Sequence, residues 1–318
     1  MTLSAQPFEV PHGPPERPSP VHPLRGRTAA NNGHDAQVES PGVHDRPIGE
    51  LLRQVHPLTQ DQIDAVLGHQ RDKGVRFGEA AVALGLVSSD DVLWALSQQF
   101  HYPYSRTDRE TLSTELPVAR DPFSAQAEVF RGIRSQLSMR LQGIGRPTAL
   151  AVLSADRGDG KSYFAANLAV AFGQLSGRTL LIDADMRNPR QHEIFGLKVH
   201  GGLSSVLSGR TGEILQKVHT LPGLSVLPVG TLPPNPLELV ERPAFGLLMR
   251  ELAGKFDHVV VDTPAASLSA DAAVIAARCG AAVVLARNGV SRVATLASLL
   301  AQLRDTSTPV LGALINEV

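Results

Sequence analysis

A short glycine-rich segment at residues 155–162, with the sequence ADRGDGKS, has the composition of a phosphate-binding loop. Gly158 and Gly160 let main-chain N–H groups turn inward around phosphates, and Lys161 can reach the β- and γ-phosphates of a nucleotide. The Ser162 hydroxyl can bind Mg²⁺, and a helix that starts here directs its positive end toward the same anion. The spacing therefore predicts a site for ATP and Mg²⁺. The residues predicted to bind the nucleotide are Gly158, Asp159, Gly160, Lys161, Ser162 and Tyr163.

Three aspartates come directly after two apolar runs further along the chain. Asp183 and Asp185 follow the first of these runs, and Asp262 follows the second. Because the carboxyl ends of parallel strands meet at one edge of a sheet, these side chains should converge on the glycine-rich loop. Asp262 is predicted to hold Mg²⁺ through water, together with Ser162. The other two aspartates can orient Mg²⁺ or accept a proton from an attacking hydroxyl. The predicted catalytic residues are Lys161, Asp183 and Asp185.

Apolar, β-rich runs alternate with helical stretches over residues 121–318. Continuous apolar strands between helices are typical of a parallel sheet that is covered on both faces. We therefore predict an α/β fold, in which a P-loop domain has helices on both faces of its parallel sheet. The predicted strands are 150–153, 179–182, 224–227, 258–261, 281–285 and 310–315, and the predicted helices are 124–141, 161–175, 237–253, 270–278 and 291–304.

The residues in front of this domain divide into three parts. Residues 1–45 are rich in proline, glycine and serine, and they are predicted to form a disordered arm because they bury too little apolar surface to offset the entropy of ordering. Residues 46–104 contain a gapless repeat in which block 47–70 aligns with block 76–99. Each block reads as a short helix, a turn and a second helix, so a small helical domain of two hairpins is predicted. Residues 105–120 are polar, contain a helix-breaking proline and are predicted to be a linker.

The overall composition excludes several classes of protein. Lysine and arginine number 30 against 31 aspartate and glutamate, and the net charge of −1 gives no long-range attraction to nucleic acid. The single cysteine, Cys279, excludes an internal disulfide and a cysteine-based metal cluster. No apolar stretch approaches the roughly 18 residues of a membrane-spanning helix, and the N-terminus lacks the pattern of a signal peptide. We therefore expect a cytoplasmic protein that does not bind nucleic acid.

The chain from about residue 128 to 318 resembles the cytoplasmic kinase domain of bacterial tyrosine kinases, which are relatives of the MinD/ParA ATPases. This resemblance implies a MinD/ParA-like P-loop fold and a transfer of phosphate from ATP to protein tyrosine that depends on Mg²⁺, together with ATP hydrolysis. The first lysine of the MinD/ParA loop is absent, which favours the kinase branch. The matching motifs are Walker A at 155–162, Walker A′ at 183–187, Walker B at 259–264 and a Glu-x-x-Arg-x-x-Arg helix at 128–134.

The same resemblance implies a homo-oligomer and a membrane partner. In the family the Glu-x-x-Arg-x-x-Arg helix contacts the next subunit, which places Glu128, Arg131 and Arg134 at an oligomer interface. Members act with a membrane-anchored chain-length-determinant protein, a polysaccharide co-polymerase, in exopolysaccharide polymerisation and export. That partner is expected to be a separate polypeptide that holds this chain at the inner face of the membrane. The tyrosine-rich tail of the family has no counterpart here, since the tyrosines are Tyr102, Tyr104 and Tyr163.

The repeat at residues 46–104 resembles the N-terminal domain of type II secretion and pilus ATPases, in the version that binds cyclic di-GMP through tandem 24-residue motifs. That motif begins Arg-Leu-Gly, and the second block supplies Arg76 and Gly78, which are the candidate ligand residues. The first block departs from the motif, with Pro47 for the arginine and His56 for a glycine. A module that docks another protein is an equal alternative.

The leading hypothesis from the sequence is therefore a protein tyrosine kinase that regulates exopolysaccharide polymerisation. A second hypothesis is a MinD/ParA-like ATPase switch that cycles on and off a membrane partner without phosphorylating protein, and the missing tail tyrosines keep it open. A third hypothesis is a non-enzymatic regulatory adaptor that responds to cyclic di-GMP, and the repeat keeps it open.

Overall fold

The computed structural model describes residues 2–5, 47–99, 112–145, 147–175, 177–210, 212 and 214–317. These residues fall into two compact units. One is a helical unit over residues 47–99, and the other is an α/β unit over residues 112–317 that also includes residues 2–5.

The helical unit consists of two helical hairpins with the predicted repeat. Its helices are α1 (Ile48–Val55), α2 (Gln60–Lys73), α3 (Phe77–Ala83) and α4 (Ser89–Gln99). The first helices of the two hairpins begin 29 residues apart, as do the second helices. The hairpins bury a shared apolar core, so each half supplies the surface that the other needs. The buried core residues are Leu51, Leu52, Leu58, Val66, Ala80, Ala81, Val87 and Ala95.

Local capping explains where these helices begin and end. The Thr59 hydroxyl accepts a hydrogen bond from the Gln62 N–H, and the Gln62 side chain accepts one from the Thr59 N–H, which forms the capping box at the start of α2. Gly74 ends α2 in the left-handed conformation that a side chain would disfavour. The predicted N-cap at Thr59 is thus present.

The α/β unit is built on an eight-stranded sheet, as counted within the described residues. Its strands lie in the order β1-β8-β7-β2-β6-β3-β5-β4, and the pairs between β8 and β5 are parallel. The two edge strands, β1 and β4, pair antiparallel with their neighbours. The predicted α/β fold with a parallel sheet is therefore confirmed. The strands are β1 (Thr2–Ala5), β2 (Leu150–Ser154), β3 (Thr179–Asp183), β4 (Gln216–Lys217), β5 (Leu224–Leu227), β6 (His258–Asp262), β7 (Ala282–Arg287) and β8 (Val310–Glu317).

Helices cover both faces of this sheet, as predicted. Residues of β6 alternate between the faces. Val260 lies in the core under α6 (Ala125–Gly143) and α7 (Lys161–Gly173), whereas Val259 and Val261 lie in the core under α11 (Pro243–Lys255) and α12 (Asp271–Cys279). Almost all of α7 is buried, which accounts for its nearly uniform apolar sequence. The helices are α5 (Pro117–Arg120), α6 (Ala125–Gly143), α7 (Lys161–Gly173), α8 (Gln191–Ile194), α9 (Leu203–Leu207), α10 (Pro236–Glu241), α11 (Pro243–Lys255), α12 (Asp271–Cys279) and α13 (Val293–Asp305).

One predicted helix is divided in two. The stretch 237–253 was expected to be a single helix, but α10 ends at Glu241 and α11 begins at Pro243. Arg242 between them has an extended conformation, with ψ of 142°. A proline restricts the preceding residue to extended conformations and lacks the N–H that would continue the helix, so the break has a local cause.

The end of the predicted linker belongs to the α/β unit, so the prediction for residues 105–120 is wrong over 112–120. Leu116 and Val118 are fully buried in the core beneath α7. Asn167 of α7 accepts a hydrogen bond from the Val118 N–H and donates one to the Glu115 carbonyl, which satisfies a polar main chain that the sequence pattern assigns to solvent. Pro117 occupies the first turn of α5, where its missing N–H costs nothing.

Part of the predicted disordered arm is a strand. Residues 2–5 form β1, which pairs with β8 from Thr2 opposite Glu317 to Ala5 opposite Leu314. Such pairing needs only main-chain groups, which the edge of a sheet offers to any extended segment, so composition does not reveal it. The rest of the arm, residues 6–46, lies outside the described residues, as do residues 100–111 of the module end and linker.

Candidate functional site

The predicted phosphate-binding loop connects β2 to α7. Gly158 has a φ of +87° and Gly160 a φ of +95°, both in the left-handed region that favours glycine. Gly160 is the N-cap of α7, and Lys161 is the first residue of that helix and is buried. The loop therefore has the backbone conformation and the helix N-terminus that suit an anionic ligand.

Asp159 supports this loop from within rather than projecting into it. Its side chain is fully buried, and its Oδ2 atom accepts a hydrogen bond from the Asp156 N–H at 3.0 Å. Its Oδ1 atom accepts one from the Ser291 hydroxyl at 2.7 Å, and its carbonyl accepts one from Asn316 Nδ2 at 3.0 Å. We call Asp159, Ser291 and Asn316 the loop brace. Asp159 was predicted to bind the nucleotide, whereas Ser291 and Asn316 have no motif that marks them.

Two buried carboxylates lie side by side where β3 and β6 end. Asp183 and Asp262 are opposite each other in the register of these strands, and both are fully buried. Asp183 Oδ2 accepts hydrogen bonds from the N–H groups of Arg190 and Gln191, at 3.1 and 3.0 Å. Its Oδ1 atom accepts one from the Asp185 N–H at 3.2 Å. The predicted convergence of these carboxylates with the loop is thus present in the fold.

Gln191 joins this carboxylate pair to the loop. Its Nε2 atom donates to Asp262 Oδ2 at 2.7 Å and to the Ser162 carbonyl at 3.0 Å. The side chain is fully buried at the start of the short helix α8. Gln191 was not predicted as a site residue, because a glutamine in a four-residue helix has no spacing that sets it apart.

Burial shapes the electrostatics of the two carboxylates. It raises the pKa of Asp183 well above its ordinary value, and the neighbouring charge of Asp262 acts in the same direction. Burial also raises the pKa of Asp262, to about 6, although the charge of Lys161 and the side chains of Gln191 and Ser162 lower it. Two adjacent buried carboxylates with one lysine leave an excess of negative charge that a cation would offset.

A buried carboxylate oxygen without a hydrogen-bond partner also makes the site suitable for Mg²⁺. Asp262 Oδ1 is buried and has no hydrogen-bond partner among the residues that the structure describes. Over the same residues, no cluster of three or more histidine, cysteine, aspartate or glutamate side chains could hold a metal by itself. Mg²⁺ usually takes one or two protein oxygens together with water and substrate phosphates, and Ser162 with Asp262 supplies that kind of set.

Asp185 builds the turn that follows β3. Its Oδ1 atom accepts hydrogen bonds from the N–H groups of Arg187 and Asn188, at 3.1 and 2.9 Å. Arg187 in turn forms a two-point ion pair with Asp271 at the start of α12, at 2.8 and 3.3 Å. The charge of Asp185 also raises the pKa of Asp183 and Asp262. Asp185 therefore shapes the site electrostatically and through the turn, and Asp271 is a supporting residue that sequence reasoning missed.

Tyr163 makes its contacts with α6 instead of the loop. Its hydroxyl accepts a hydrogen bond from Gln126 at 2.8 Å, and its ring centroid lies 6.2 Å from that of Phe130. Burial, followed by the negative charge of Glu115, raises the pKa of Tyr163 to about 12. The structure thus does not bring this side chain together with the other predicted nucleotide-binding residues.

The predicted interface residues lie on α6 and are engaged within the chain. Arg131 pairs with Glu128 at 2.6 Å and also donates to the Pro122 carbonyl. Arg134 donates to the Ala171 carbonyl near the end of α7, at 2.7 Å. Glu128 itself is exposed. These contacts orient the arginines along the surface of the α/β unit.

The candidate ligand residues of the helical unit have different environments. Arg76 is exposed at the start of α3, where its N–H donates to the Glu79 side chain at 3.0 Å. Gly78 is buried, and a Cβ atom added to it would lie 2.5 Å from Val92 Cγ1 of α4. His56 Nε2 donates to Asp91 Oδ2 at 2.8 Å and so joins the two hairpins. Gly78 and His56 thus have structural roles within this unit.

Comparison with known proteins gives a consistent set of relatives, although no family model matches the chain. CapB of Staphylococcus aureus is 34% identical over 215 residues, which is 66% of this chain and 92% of that protein. The tyrosine-protein kinase CpsD of Streptococcus agalactiae is 33% identical over 197 residues, which is 60% of this chain and 83% of CpsD. The tyrosine-protein kinase wzc of Salmonella typhi is 30% identical over 64% of this chain, and the match spans 28% of wzc.

Solved structures agree with these relatives. The chimerical protein CapA2B2 has a TM-score of 0.59 and 32% identity, and the match covers 64% of this chain and 90% of the other. The kinase domain of the Escherichia coli tyrosine kinase ETK has a TM-score of 0.61 and 27% identity, with 64% and 80% covered.

Proposed function

The chain belongs to the family of bacterial tyrosine kinases, and from that premise we propose that its α/β unit transfers the γ-phosphate of ATP to tyrosine in a protein acceptor and so regulates exopolysaccharide polymerisation and export. The observation that carries this proposal is the pair of buried carboxylates, Asp183 and Asp262, held by Gln191 against the phosphate-binding loop. A phosphoryl transfer site needs positioned phosphates, a compensating cation and a group that accepts the hydroxyl proton. The phosphate-binding loop would meet the first need, a Mg²⁺ ion held at Asp262 the second and Asp183 the third.

Each residue has a defined part in this proposal. The main chain around Gly158 and Gly160 cradles the phosphates, and Lys161 compensates the charge on the β- and γ-phosphates. Ser162 and Asp262 hold Mg²⁺, which when bound neutralises charge on the transferring group. Asp183 accepts the proton of the tyrosine hydroxyl, since burial raises its pKa toward the range of an effective base.

The partner and the place of action follow from the same family. The chain spans most of CapB and CpsD but about a quarter of wzc, and in the described residues no helix is long and apolar enough to cross a membrane. The proposed partner is a membrane-anchored chain-length-determinant protein, which holds this chain at the inner face of the membrane. Glu128, Arg131 and Arg134 are proposed to contribute to a homo-oligomer through the exposed side of α6.

Incubation of the full chain with labelled ATP, Mg²⁺ and the cytoplasmic part of the partner tests the proposal, with phospho-amino-acid analysis of all proteins present. The expected product is phosphotyrosine, and it should be lost in Asp183→Asn while ATP binding is retained. ATP hydrolysis without phosphotyrosine would favour the MinD/ParA-like switch. Retained phosphotyrosine formation in Asp183→Asn would remove this residue from the role of base.

The helical unit is proposed to serve as an input module. Exposure of Arg76 keeps its guanidinium available to a guanine or a phosphate of cyclic di-GMP. The packing role of Gly78 supports the alternative, in which the unit docks a protein. Calorimetry on the full chain with cyclic di-GMP decides between these two possibilities.

A further inference from the structure

A groove of about 1030 Å³ lies at the edge of the sheet in the α/β unit. It is bounded by the edge strand β4, by β5, by the residue in front of β3 and by the segment that follows α8. Arg178 and Gly223 at this groove precede β3 and β5, whereas Asp183 is the last residue of β3, at the opposite end of that strand. The groove is therefore separate from the proposed nucleotide site. Its basic side chains are Arg178, Lys198, His200, Lys217 and His219.

The charge in this groove is strongly one-sided. No aspartate or glutamate is among the lining residues that the structure describes, although the whole chain has a net charge of −1. Within the described part of the chain, none of the five basic side chains forms an ion pair. One carboxylate is nearby: Asp257 Oδ2 accepts a hydrogen bond from the Arg178 N–H at 2.7 Å, and this bond together with the charge of Arg178 lowers the pKa of Asp257. Arg178 and the two lysines outnumber this carboxylate, so the groove has a local positive field.

Several contacts fix the shape of the groove. Gln216 of β4 donates to the Lys198 carbonyl at 2.7 Å, which ties the segment after α8 to the edge strand. The Arg178 carbonyl accepts hydrogen bonds from the N–H groups of Asp257 and His258, at 2.8 and 3.2 Å. The cationic side chains thus extend from backbone that is held in place. Apolar side chains line the same groove: Ile214, Leu215, Pro222 and Phe256.

From this arrangement we infer that the basic groove binds an acidic, partly apolar segment of a partner polypeptide. Carboxylates of the segment meet Arg178, Lys198 and Lys217, and its apolar side chains pack against the apolar lining. The cations come from separate segments along the groove, which suits an elongated ligand. A compact phosphate is held by converging main-chain N–H groups, as at the loop after β2, and a membrane surface meets a convex basic face and not a groove.

Direct binding tests this inference without any turnover, so it stands apart from the kinase proposal. The probe is a fluorescein-labelled peptide of alternating glutamate and leucine, and the matched probe has glutamine for every glutamate. The full chain is expected to bind the acidic probe at least about tenfold more tightly than the glutamine probe. The double variant Lys198→Glu with Lys217→Glu should lose at least about tenfold in affinity for the acidic probe, since like charges then face each other.

The control variant is Lys73→Glu with Arg304→Glu, which changes the net charge by the same amount at exposed residues elsewhere. Its affinity for the acidic probe should stay within about twofold of the wild type. Equal affinities of the two double variants would overturn the inference. Competition by inorganic phosphate at millimolar concentration would assign the groove to a compact anion instead. Binding to phosphatidylserine vesicles that depends on the two groove lysines, without binding of the acidic probe, would assign it to a membrane surface.

Discussion

The α/β unit and the helical unit both carry sequence motifs with glycine and a basic residue, but the two structures use them differently. In the α/β unit, Gly158 adopts a left-handed conformation with open space around its Cα, and Lys161 is buried beside two carboxylates. In the helical unit, Gly78 lies within a helix against Val92, and Arg76 is exposed. The first glycine is required by the backbone conformation, and the second is required by the packing of its neighbour.

This difference separates a motif that builds a site from a motif that builds a core. A phosphate-binding loop needs its glycines for conformation, and its charged residues are held by several hydrogen bonds in a buried setting. A helical hairpin repeat needs small residues wherever two helices approach closely, whether or not a ligand binds. The two motifs are similar in sequence, since both contain glycine and a basic residue, but this similarity does not imply a similar function.

The largest expected effect comes from Lys161→Met in the α/β unit. The variant keeps the length of the side chain and removes the charge that compensates the phosphates, so the phosphorylation rate should fall by about 10²–10³-fold. Steady-state phosphorylation assays measure this loss, and circular dichroism verifies the fold. The matched control is Lys255→Met, at an exposed lysine that pairs with Glu251. A wild-type phosphorylation rate in a folded Lys161→Met protein would mean that this loop does not bind the phosphates of the nucleotide.

A second test uses the pKa of Asp262, which burial raises to about 6 from its ordinary 3.8. Because the folded state prefers the protonated form, the stability that this proton gives is complete below pH 4 and is lost as the pH rises through 6. In the absence of Mg²⁺, the free energy of unfolding of the α/β unit should therefore fall by up to about 3 kcal/mol over this range from this group alone.

Denaturant unfolding at several pH values, followed by circular dichroism, measures this change as the difference between the wild type and Asp262→Asn. Mg²⁺ should restore stability in the wild type at pH 7 more than at pH 5, because it binds the ionised carboxylate. The asparagine variant should lack the contribution of Asp262 to the pH dependence and show less restoration by Mg²⁺, while the contribution of Asp183 stays. Identical pH profiles of the two proteins would show that this carboxylate does not titrate in the expected range.

In the helical unit, Gly78→Ala should destabilise without any ligand being present. The added Cβ would lie 2.5 Å from Val92 Cγ1, and overpacking of this kind costs about 1–3 kcal/mol. The single tryptophan, Trp94, lies in α4, so its fluorescence reports the unfolding of this unit. Gly68→Ala is the control, since nothing lies within 4 Å of that position in the middle of α2, and it should stabilise by up to about 1 kcal/mol. The double variant Gly78→Ala with Val92→Ala should recover stability, and failure to do so would refute the packing role.

The smallest effect is expected from Arg76→Ala. Its side chain is exposed, so neither the equilibrium constant for unfolding of the helical unit nor the phosphorylation rate should change by more than about twofold. Any heat of cyclic di-GMP binding that calorimetry measures for the wild type should be lost in this variant. If the wild type binds cyclic di-GMP strongly and Arg76→Ala does not, the motif of the helical unit is a ligand-binding site as well, and the difference between the two units does not hold.

The sequence predicted the parts of the molecule that depend on local pattern. Strand and helix positions in the α/β unit agree within a few residues, because long apolar runs and helical periodicity are both strong local signals. The convergence of Asp183 and Asp262 was predictable as well, since a parallel sheet brings such strand ends together. The Pro243 break was missed even though its cause is local, because proline is also common in the first turn of a helix.

Contacts between segments that are distant in the sequence could not be predicted from local sequence patterns. Gln191, Ser291 and Asn316 are ordinary polar residues by composition, and their roles arise only when separate segments meet at the loop. The burial of Leu116 and Val118 depends likewise on Asn167 of α7, whose amide satisfies the main chain of an otherwise polar segment. A side chain that completes another segment's hydrogen bonds carries no periodic signal of its own.

The loop brace also makes the nucleotide site sensitive to the order of synthesis. Asn316 donates to the Asp159 carbonyl across 157 positions of the chain, and Ser291 reaches Asp159 across 132. During translation the loop emerges long before either partner, and β2 likewise emerges before both of its neighbours in the sheet, β6 and β7. Competence to bind ATP should therefore appear only after β8, which carries Asn316, has joined the sheet.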